Sequence, residues 1–173
     1  MYAINSLPKR DMSKSTTGCC PPFEPKEWDG ETFTFNNELF MKFSTRSFLH
    51  IPLTMSSAIT KAMAQRAAAG AENAEEYIML SDEVSPWKAE HYLSVEKDVP
   101  DTEIVNLSGT YMAKVFEGPF KEMKNWYQQL IDYVKSRGAK PVHTYFAYTT
   151  CPKCAKAYGH NYVIGFEQIE KLD

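Results

Sequence analysis

SGTYMAKVFEGPFKEMKNWYQQLIDYVKSRG, residues 108–138, places a strand directly before an amphipathic helix. Residues 111–116 alternate in the manner of a strand. Gly118 and Pro119 end that strand, and proline is well tolerated at the first position of a helix. Arg137 and Gly138 supply a basic last turn and a terminating glycine. Between them, apolar residues recur at helical spacing: Phe120, Met123, Trp126, Tyr127, Leu130, Tyr133 and Val134.

Two more strand-like runs follow this helix, at residues 143–149 and 161–169. The second half of the chain therefore predicts the order β-α-β-β. We expect the strands to form antiparallel sheet, because short connections join them.

The first half of the chain predicts the same order. An apolar run at residues 46–53 precedes a helix that begins after the capping hydroxyl of Thr54 and ends at Gly70. Residues 76–81 and 90–97 then read as a strand pair. The sequence thus predicts an α+β fold of two duplicated βαββ units with two main helices.

An additional β-hairpin is predicted ahead of these units. Residues 31–43 (ETFTFNNELFMKF) alternate on both sides of Asn36 and Asn37, and asparagine tolerates the conformations of a tight turn. Residues 1–25 are polar and predict an arm that is loosely ordered at least as far as Thr17. We therefore expect an arm at 1–25 and one domain at 26–173.

The composition favours an ordinary soluble protein. The chain has 173 residues, 43% hydrophobic residues and a formal net charge of −3. That charge gives no electrostatic support for binding nucleic acid or an anionic membrane. The sequence contains neither an apolar run of membrane-spanning length nor the apolar core of a signal peptide, so a cytoplasmic location is expected.

In its order of elements, the second repeat resembles the GyrI-like small-molecule-binding family. Domains of that family also occur as the effector-binding domains of some transcription regulators. The residues that carry the resemblance are the strand start at 109–111, the junction at 117–120 and the aromatic helix around Trp126. The resemblance implies a pocket between the two repeats that binds apolar, often planar or cationic molecules. Ligand-binding members carry a pocket glutamate where this chain has residues 145–148, YFAY.

The chain also resembles a narrower bacterial group of that family, whose members often carry only the label hydrolase. Some members hydrolyse electrophilic cyclopropane-containing compounds. The matching segments are Cys19-Cys20-Pro21, Trp28-Asp29-Gly30, FLHIPL at 48–53, Leu80-Ser81-Asp82 and TTCPKCAKAY at 149–158.

Cys151-Pro152-Lys153-Cys154 is the sharpest local motif, and we expect it on a turn. Two thiolates at this spacing can chelate zinc or cycle as a dithiol. A thioredoxin-like fold is excluded, because only nineteen residues follow Cys154. Cys19, Cys20 or His160 could complete a metal site, provided that the arm folds back. The alternative is a set of reduced, inert thiols, as is common in the cytosol.

Glu167 and Glu117 are the candidate catalytic carboxylates. Glu167 alternates with Val163 and Gly165 on the last predicted strand, where aromatic surroundings would raise its pKa. Glu117 ends the strand before the second helix. The alternative for both is a solvent-facing charge. No Ser/His/Asp order supports a nucleophilic triad, and His50 and His91 are predicted to be buried core residues.

Aromatic side chains on the predicted strands suit a pocket with apolar walls and polar tips. Half-exposed tyrosines on a sheet are the alternative. The candidate ligand-binding residues are Tyr92, Tyr111, Phe116, Tyr145, Tyr148 and Trp87.

Three functions remain open at this point. The favoured one is a stand-alone binding protein for a small apolar or planar molecule; the chain has no DNA-binding helix-turn-helix. The second is a hydrolase of an electrophilic compound, with Glu167 or Glu117 acting on water. The third is a zinc-stapled interaction module. The sequence does not determine the oligomeric state. No cofactor is expected, apart from the zinc ion that the cysteines could bind.

Overall fold

The computed structural model describes residues 4–49, 51–73 and 75–170, and it confirms the α+β class. Within those residues lie seven strands and three α-helices. The strands are β1 (Thr32–Phe48), β2 (Ile51–Pro52), β3 (Met79–Ser85), β4 (Lys88–Ser94), β5 (Glu103–Glu117), β6 (Pro141–Tyr148) and β7 (Tyr162–Ile169). The helices are α1 (Met55–Ala68), α2 (Met123–Ser136) and α3 (Pro152–Tyr158).

The chain forms two compact units. We call residues 1–36 with 109–173 the terminal unit and residues 37–108 the inserted unit. The chain passes from the first to the second within β1 and returns within β5. None of the helices in the described residues has the length and hydropathy that a bilayer crossing requires.

The inserted unit is a small antiparallel sheet with one helix. The second half of β1 pairs with β4 from Phe40↔Ser94 to Arg46↔Lys88, and β4 pairs with β3. Met41, Leu93 and Met79 lie side by side across these strands and pack with Ala62 of α1. Since residues opposite each other in a sheet share a face, this face of the sheet is the one that α1 covers.

The terminal unit has the same plan. Antiparallel pairing joins β7 to β5 on one side and to β6 on the other. Trp126 and Leu130 of α2 pack on Phe116, Phe146 and Val163 of these strands. The helix therefore covers the sheet face that carries the odd-numbered residues of β7.

The two units repeat one strand order. In each, a helix follows the first long strand, and the last strand pairs between the other two, which gives β1-β4-β3 and β5-β7-β6. That the units are copies of one ancestral element stays a prediction, as does the division at residue 25.

The predicted N-terminal hairpin is wrong, because β1 runs without a turn through Asn36 and Asn37. Asn37 has a φ of +61°, so the strand is locally irregular there. Its N–H donates to Ser108 Oγ at 2.9 Å, and its side-chain oxygen accepts from Asn106 Nδ2 at 2.9 Å. Contacts with β5 thus hold the left-handed residue inside a strand.

Two further sequence expectations are wrong. The strand expected at 46–53 is divided by Leu49, whose φ is +47°, between the end of β1 and β2. The prediction of two main helices missed α3, because the CPKC motif begins a helix and does not form a turn. Pro152 occupies the first helical turn and Gly159, with a φ of +76°, ends the helix.

Candidate active site and metal centre

Glu117 and His160 meet where β5 ends and β7 begins. The antiparallel register places Glu117 opposite Tyr162, which brings the residues just before β7 alongside the end of β5. Two hydrogen bonds fix the two segments. Gly118 N–H donates to Asn161 O at 3.1 Å, and Asn161 Nδ2 donates to Gly118 O at 2.6 Å.

The two side chains form a carboxylate–imidazole pair. Glu117 Oε1 lies 2.6 Å from His160 Nδ1, and the Tyr162 ring stacks on the imidazole at 5.3 Å and 14°. About half of each side chain is exposed, 50% for Glu117 and 55% for His160. With a proton on Nδ1 donated to the carboxylate, the neutral imidazole keeps its lone pair on Nε2. Such a nitrogen can accept a proton from water.

All four cysteines of the chain lie together in the terminal unit. Cys19 and Cys20 come from the N-terminal arm. Cys151 immediately precedes α3, and Cys154 lies in the first turn of that helix. The four sulfur atoms lie within 4.8 Å of one another. The clustering that the sequence made conditional on the arm is thus confirmed.

Individual contacts in this cluster are close but non-covalent. Cys19 Sγ lies 3.7 Å from Cys20 Sγ and 3.9 Å from Cys151 Sγ, well beyond the length of a disulfide bond. Thr17 Oγ1 lies 3.1 Å from Cys154 Sγ. Cys20 and Cys154 are buried, whereas Cys19 is exposed. The cluster therefore has an inner and an outer side.

Tyr158 of α3 secures the arm beside this cluster. Its hydroxyl donates to Cys20 O at 2.7 Å and accepts from Thr16 N–H at 3.3 Å. Ser15 Oγ donates to the same carbonyl at 2.9 Å. Further along the arm, Ile4 bridges to β1 next to Phe33. The described part of the arm thus has defined contacts.

Neighbouring groups and burial shift the pKa values of three of the four thiols. The hydrogen bond with the Cys20 sulfur raises the pKa of Cys19 to about 12, and burial raises the pKa of Cys20. The hydroxyl of Thr17 lowers the pKa of Cys154 to about 7. Of these three thiols, Cys154 therefore loses its proton most readily.

Glu167 lies on the face of β7 that α2 covers. It is 1% exposed, beside Met112 in the sheet register, and it accepts a hydrogen bond from the Thr144 hydroxyl. Burial raises the pKa of Glu167, while bonds from Thr144 and from the backbone at Val142 and His143 oppose that rise. The register of β6 on β7 shifts between Pro141 and His143. The Glu167 carboxylate accepts hydrogen bonds from the backbone at this shift. As a catalytic residue, Glu167 stays a prediction.

The six predicted ligand-binding residues do not share one face. Tyr111 and Tyr145 lie on the side of the sheet away from α2, with ring centroids 6.3 Å apart, and burial raises the pKa of Tyr111 to about 12. Phe116 and Tyr148 pack on the α2 side, Phe116 stacking on Trp126 at 5.7 Å.

The other two lie in the inserted unit. The hydroxyl of Tyr92 donates to Glu90 at 3.2 Å, and Trp87 is 55% exposed at the β3–β4 turn, with its ring 5.5 Å from Phe48. The role of all six in ligand binding stays a prediction.

Sequence reasoning did not predict the hydroxyl–imidazole network around His91. Thr45 Oγ1 lies 2.8 Å from Nε2 and Ser81 Oγ lies 2.8 Å from Nδ1. Burial lowers the pKa of His91 to about 4, so it is a poor base near neutrality. The prediction of a buried core histidine is confirmed at His91, whereas His50 lies outside the described residues.

The fold and these groups define an α+β protein with a four-cysteine cluster and an exposed carboxylate–imidazole pair. A family model described as bacterial hydrolase matches residues 10–169, and the chain therefore belongs to the bacterial hydrolase family. A comparison with curated proteins gave no match. The resemblance to the GyrI-like family stays a prediction.

Proposed function

We propose that the protein hydrolyses a small electrophilic molecule, with the Glu117–His160 pair activating the attacking water. The observation that carries this proposal is the 2.6 Å contact between Glu117 Oε1 and His160 Nδ1 at a position that water can reach. The name of the family supports it. The pair combines one carboxylate chosen from the sequence with a histidine that the sequence offered only as a metal ligand.

The reaction needs one general base and one water molecule. His160 Nε2 takes a proton from water while the water oxygen attacks the electrophilic carbon of the substrate. The Glu117 carboxylate accepts a hydrogen bond from Nδ1–H, stays ionised and stabilises the imidazolium that forms, as a carboxylate does in a catalytic triad. The imidazolium then protonates the leaving group. Water is added across the cleaved bond, and both side chains return to their starting state.

The neighbouring rings favour an apolar substrate. Tyr162 stacks on His160, and the Phe23 ring lies 5.6 Å from Tyr162. All three are at least partly exposed. An activated ester, a lactone or a strained ring with an apolar body fits these surroundings.

A second candidate is binding of an apolar molecule without turnover, the function that the sequence favoured. Its support is the aromatic cluster on the side of the terminal sheet away from α2. Phe35 lies 4.7 Å from Tyr111, and Phe33 lies 5.9 Å from Phe166. Saturable binding of an apolar dye, lost in Tyr111→Ala and unaffected by His160→Gln, would favour this function over hydrolysis.

Hydrolysis of p-nitrophenyl acetate tests the primary proposal. We expect His160→Gln to lower the rate about 100-fold, the lower end of the effect of general-base catalysis. Glu117→Gln keeps the shape of the side chain but loses the charge, and we expect a smaller loss.

His143→Gln is the matched control, since His143 is an exposed histidine of the same unit. Wild-type activity in this variant, together with the loss in His160→Gln, supports the proposal. Equal activity of wild type and His160→Gln would overturn it. Circular dichroism of every variant separates loss of chemistry from loss of fold.

A further inference from the structure

The four-cysteine cluster lies outside the proposed hydrolytic pair and has no part in that reaction. We propose that Cys19, Cys20, Cys151 and Cys154 coordinate one zinc ion, which fixes the N-terminal arm to α3. Zinc binding at this cluster does not require hydrolytic activity.

The spacing of the sulfurs matches a mononuclear tetrahedral site. A zinc–sulfur distance of about 2.3 Å places the corners of a tetrahedron about 3.8 Å apart. The Cys19 sulfur lies 3.7 Å from that of Cys20 and 3.9 Å from that of Cys151. All four sulfurs lie within 4.8 Å of one another, so small side-chain adjustments complete the tetrahedron.

Other uses of four cysteines fit these distances less well. An iron–sulfur cluster places inorganic sulfide and several irons between its thiolates, which therefore stand further apart than a single ion requires. Two disulfides would need pairs of sulfurs at about 2 Å, and all four thiols are free. Tetrahedral coordination by four sulfurs is typical of zinc.

The local backbone explains how two adjacent cysteines reach one ion. Gly18 has a φ of +68°, which turns the chain immediately before Cys19. The side chain of Ser15 donates to Cys20 O at 2.9 Å, which closes this turn. Cys19 and Cys20 consequently place their sulfurs on the same side of the chain.

The surroundings also suit thiolate ligands. Thr17 offers a hydroxyl to Cys154 Sγ at 3.1 Å, and bonds of this kind orient metal ligands and offset their charge. Lys153 lies between two of the ligands in the sequence, and Lys156 follows them.

The site is structural in character. Four protein ligands leave no open coordination position for water or substrate, unlike a catalytic zinc site. It joins chain segments more than 130 positions apart, since Cys19 and Cys151 are neighbours in space. Loss of the metal should therefore release the arm, because the binding free energy of a structural metal is folding free energy.

Elemental analysis of the purified protein, with zinc in the growth medium, is the first test. We expect one zinc per chain, lost on treatment with a strong chelator and regained on addition of zinc. Replacement by Co²⁺ should give the charge-transfer absorption of a tetrahedral thiolate site. A bound iron, a disulfide among the four cysteines, or four reactive thiols that take up no zinc would each overturn the proposal.

Trypsin digestion tests the effect on the arm. Lys9, Arg10 and Lys14 are cleavage sites in the arm, and we expect chelation to speed cleavage there at least tenfold while the remaining chain stays resistant. Cys154→Ser should behave like the chelated wild type, and Ser13→Ala, an exposed arm residue, should not. If Cys154→Ser fails to fold, the zinc content of the wild-type protein still tests whether the four cysteines bind the metal. Cleavage unaffected by chelation would overturn the role in fixing the arm.

Discussion

His91 lies between two hydroxyl groups under α1, and its charge state follows from that position. Both ring nitrogens have a hydroxyl partner at 2.8 Å, and the residue is 2% exposed. Burial lowers the pKa of His91 to about 4, whereas the unfolded chain has the ordinary value near 6.5. The folded protein therefore keeps this imidazole neutral at a pH at which the unfolded chain takes up a proton.

The stability of the protein should depend on His91 between pH 6.5 and 4. The stabilisation is fully present above pH 6.5 and is lost as the pH falls towards 4, by up to about 3 kcal/mol. His91→Gln keeps a donor and an acceptor for Thr45 and Ser81 but does not titrate. Urea unfolding at several pH values should therefore show a shallower acid loss for this variant.

The exposed His143→Gln serves as the control for this prediction, and we expect it to keep the wild-type pH dependence. If His91→Gln lost stability on acidification as steeply as the wild type does, titration of His91 would not be the cause.

At the scale of the elements, the contact of β7 with α2 depends on a glycine. A methyl group at Gly165 would lie 2.8 Å from Leu130 Cδ2 and 3.1 Å from Phe116 Cε2. Leu130 is fully buried and Phe116 is 6% exposed, so a methyl group at Gly165 would have to displace packed core side chains. The close packing of the helix therefore requires glycine at this position of the strand.

Gly165→Ala should lower the free energy of unfolding by about 1–3 kcal/mol, the usual cost of overpacking. Leu130→Ala alone should cost about 2–5 kcal/mol because it leaves a cavity. Since the alanine methyl would fill part of that cavity, the double variant should lose less than the sum of the two. Chemical unfolding of the three variants measures this coupling, and strictly additive losses would contradict it.

Local sequence signals predicted the elements that depend on local patterns. The alternation at 111–116 and the helical spacing around Trp126 correctly predicted a strand and a helix, although β5 begins earlier, at Glu103. The prediction of a turn at Asn37 was wrong, because asparagine adopts the left-handed conformation in turns as well as here within a strand. The contacts with β5 that stabilise it here cannot be recognised in the local sequence. The pattern also failed at α3, because a helix of seven residues has only about two turns, too few for a helical repeat to be recognised.

The candidate sites were predictable only in part, because both depend on contacts between distant segments. The sequence selected Glu117 and all four cysteines by residue type. The pairing of Glu117 with His160 follows from the register of β5 on β7, which no single segment encodes. For Glu167, the sequence correctly predicted which residues of the strand share its face. It did not show that α2 covers that face, because this depends on how the helix packs on the sheet.

At the scale of the whole molecule, loss of metal should affect the two units unequally. The proposed zinc ligands all lie in the terminal unit, whereas the inserted unit has its own core around Met41, Leu93 and Ala62. Hydrogen exchange measured by mass spectrometry should therefore show faster exchange in peptides from 4–36 and 109–170 after chelation. Peptides from the inserted unit should change little.

Cys154→Ser should reproduce this pattern without a chelator. An equal increase in exchange across both units would contradict it, because the metal would then support the entire fold.

The two ends of the inserted unit meet, with Asn37 N–H donating to Ser108 Oγ at 2.9 Å. A segment that begins and ends at one point can be removed or exchanged with little change in the path of the surrounding chain. In evolutionary terms, we therefore expect residues 37–108 to change as a block. Recombination at two sites within long strands could change its length or sequence, while the thiol cluster and the Glu117–His160 pair would be inherited intact on the flanking segments.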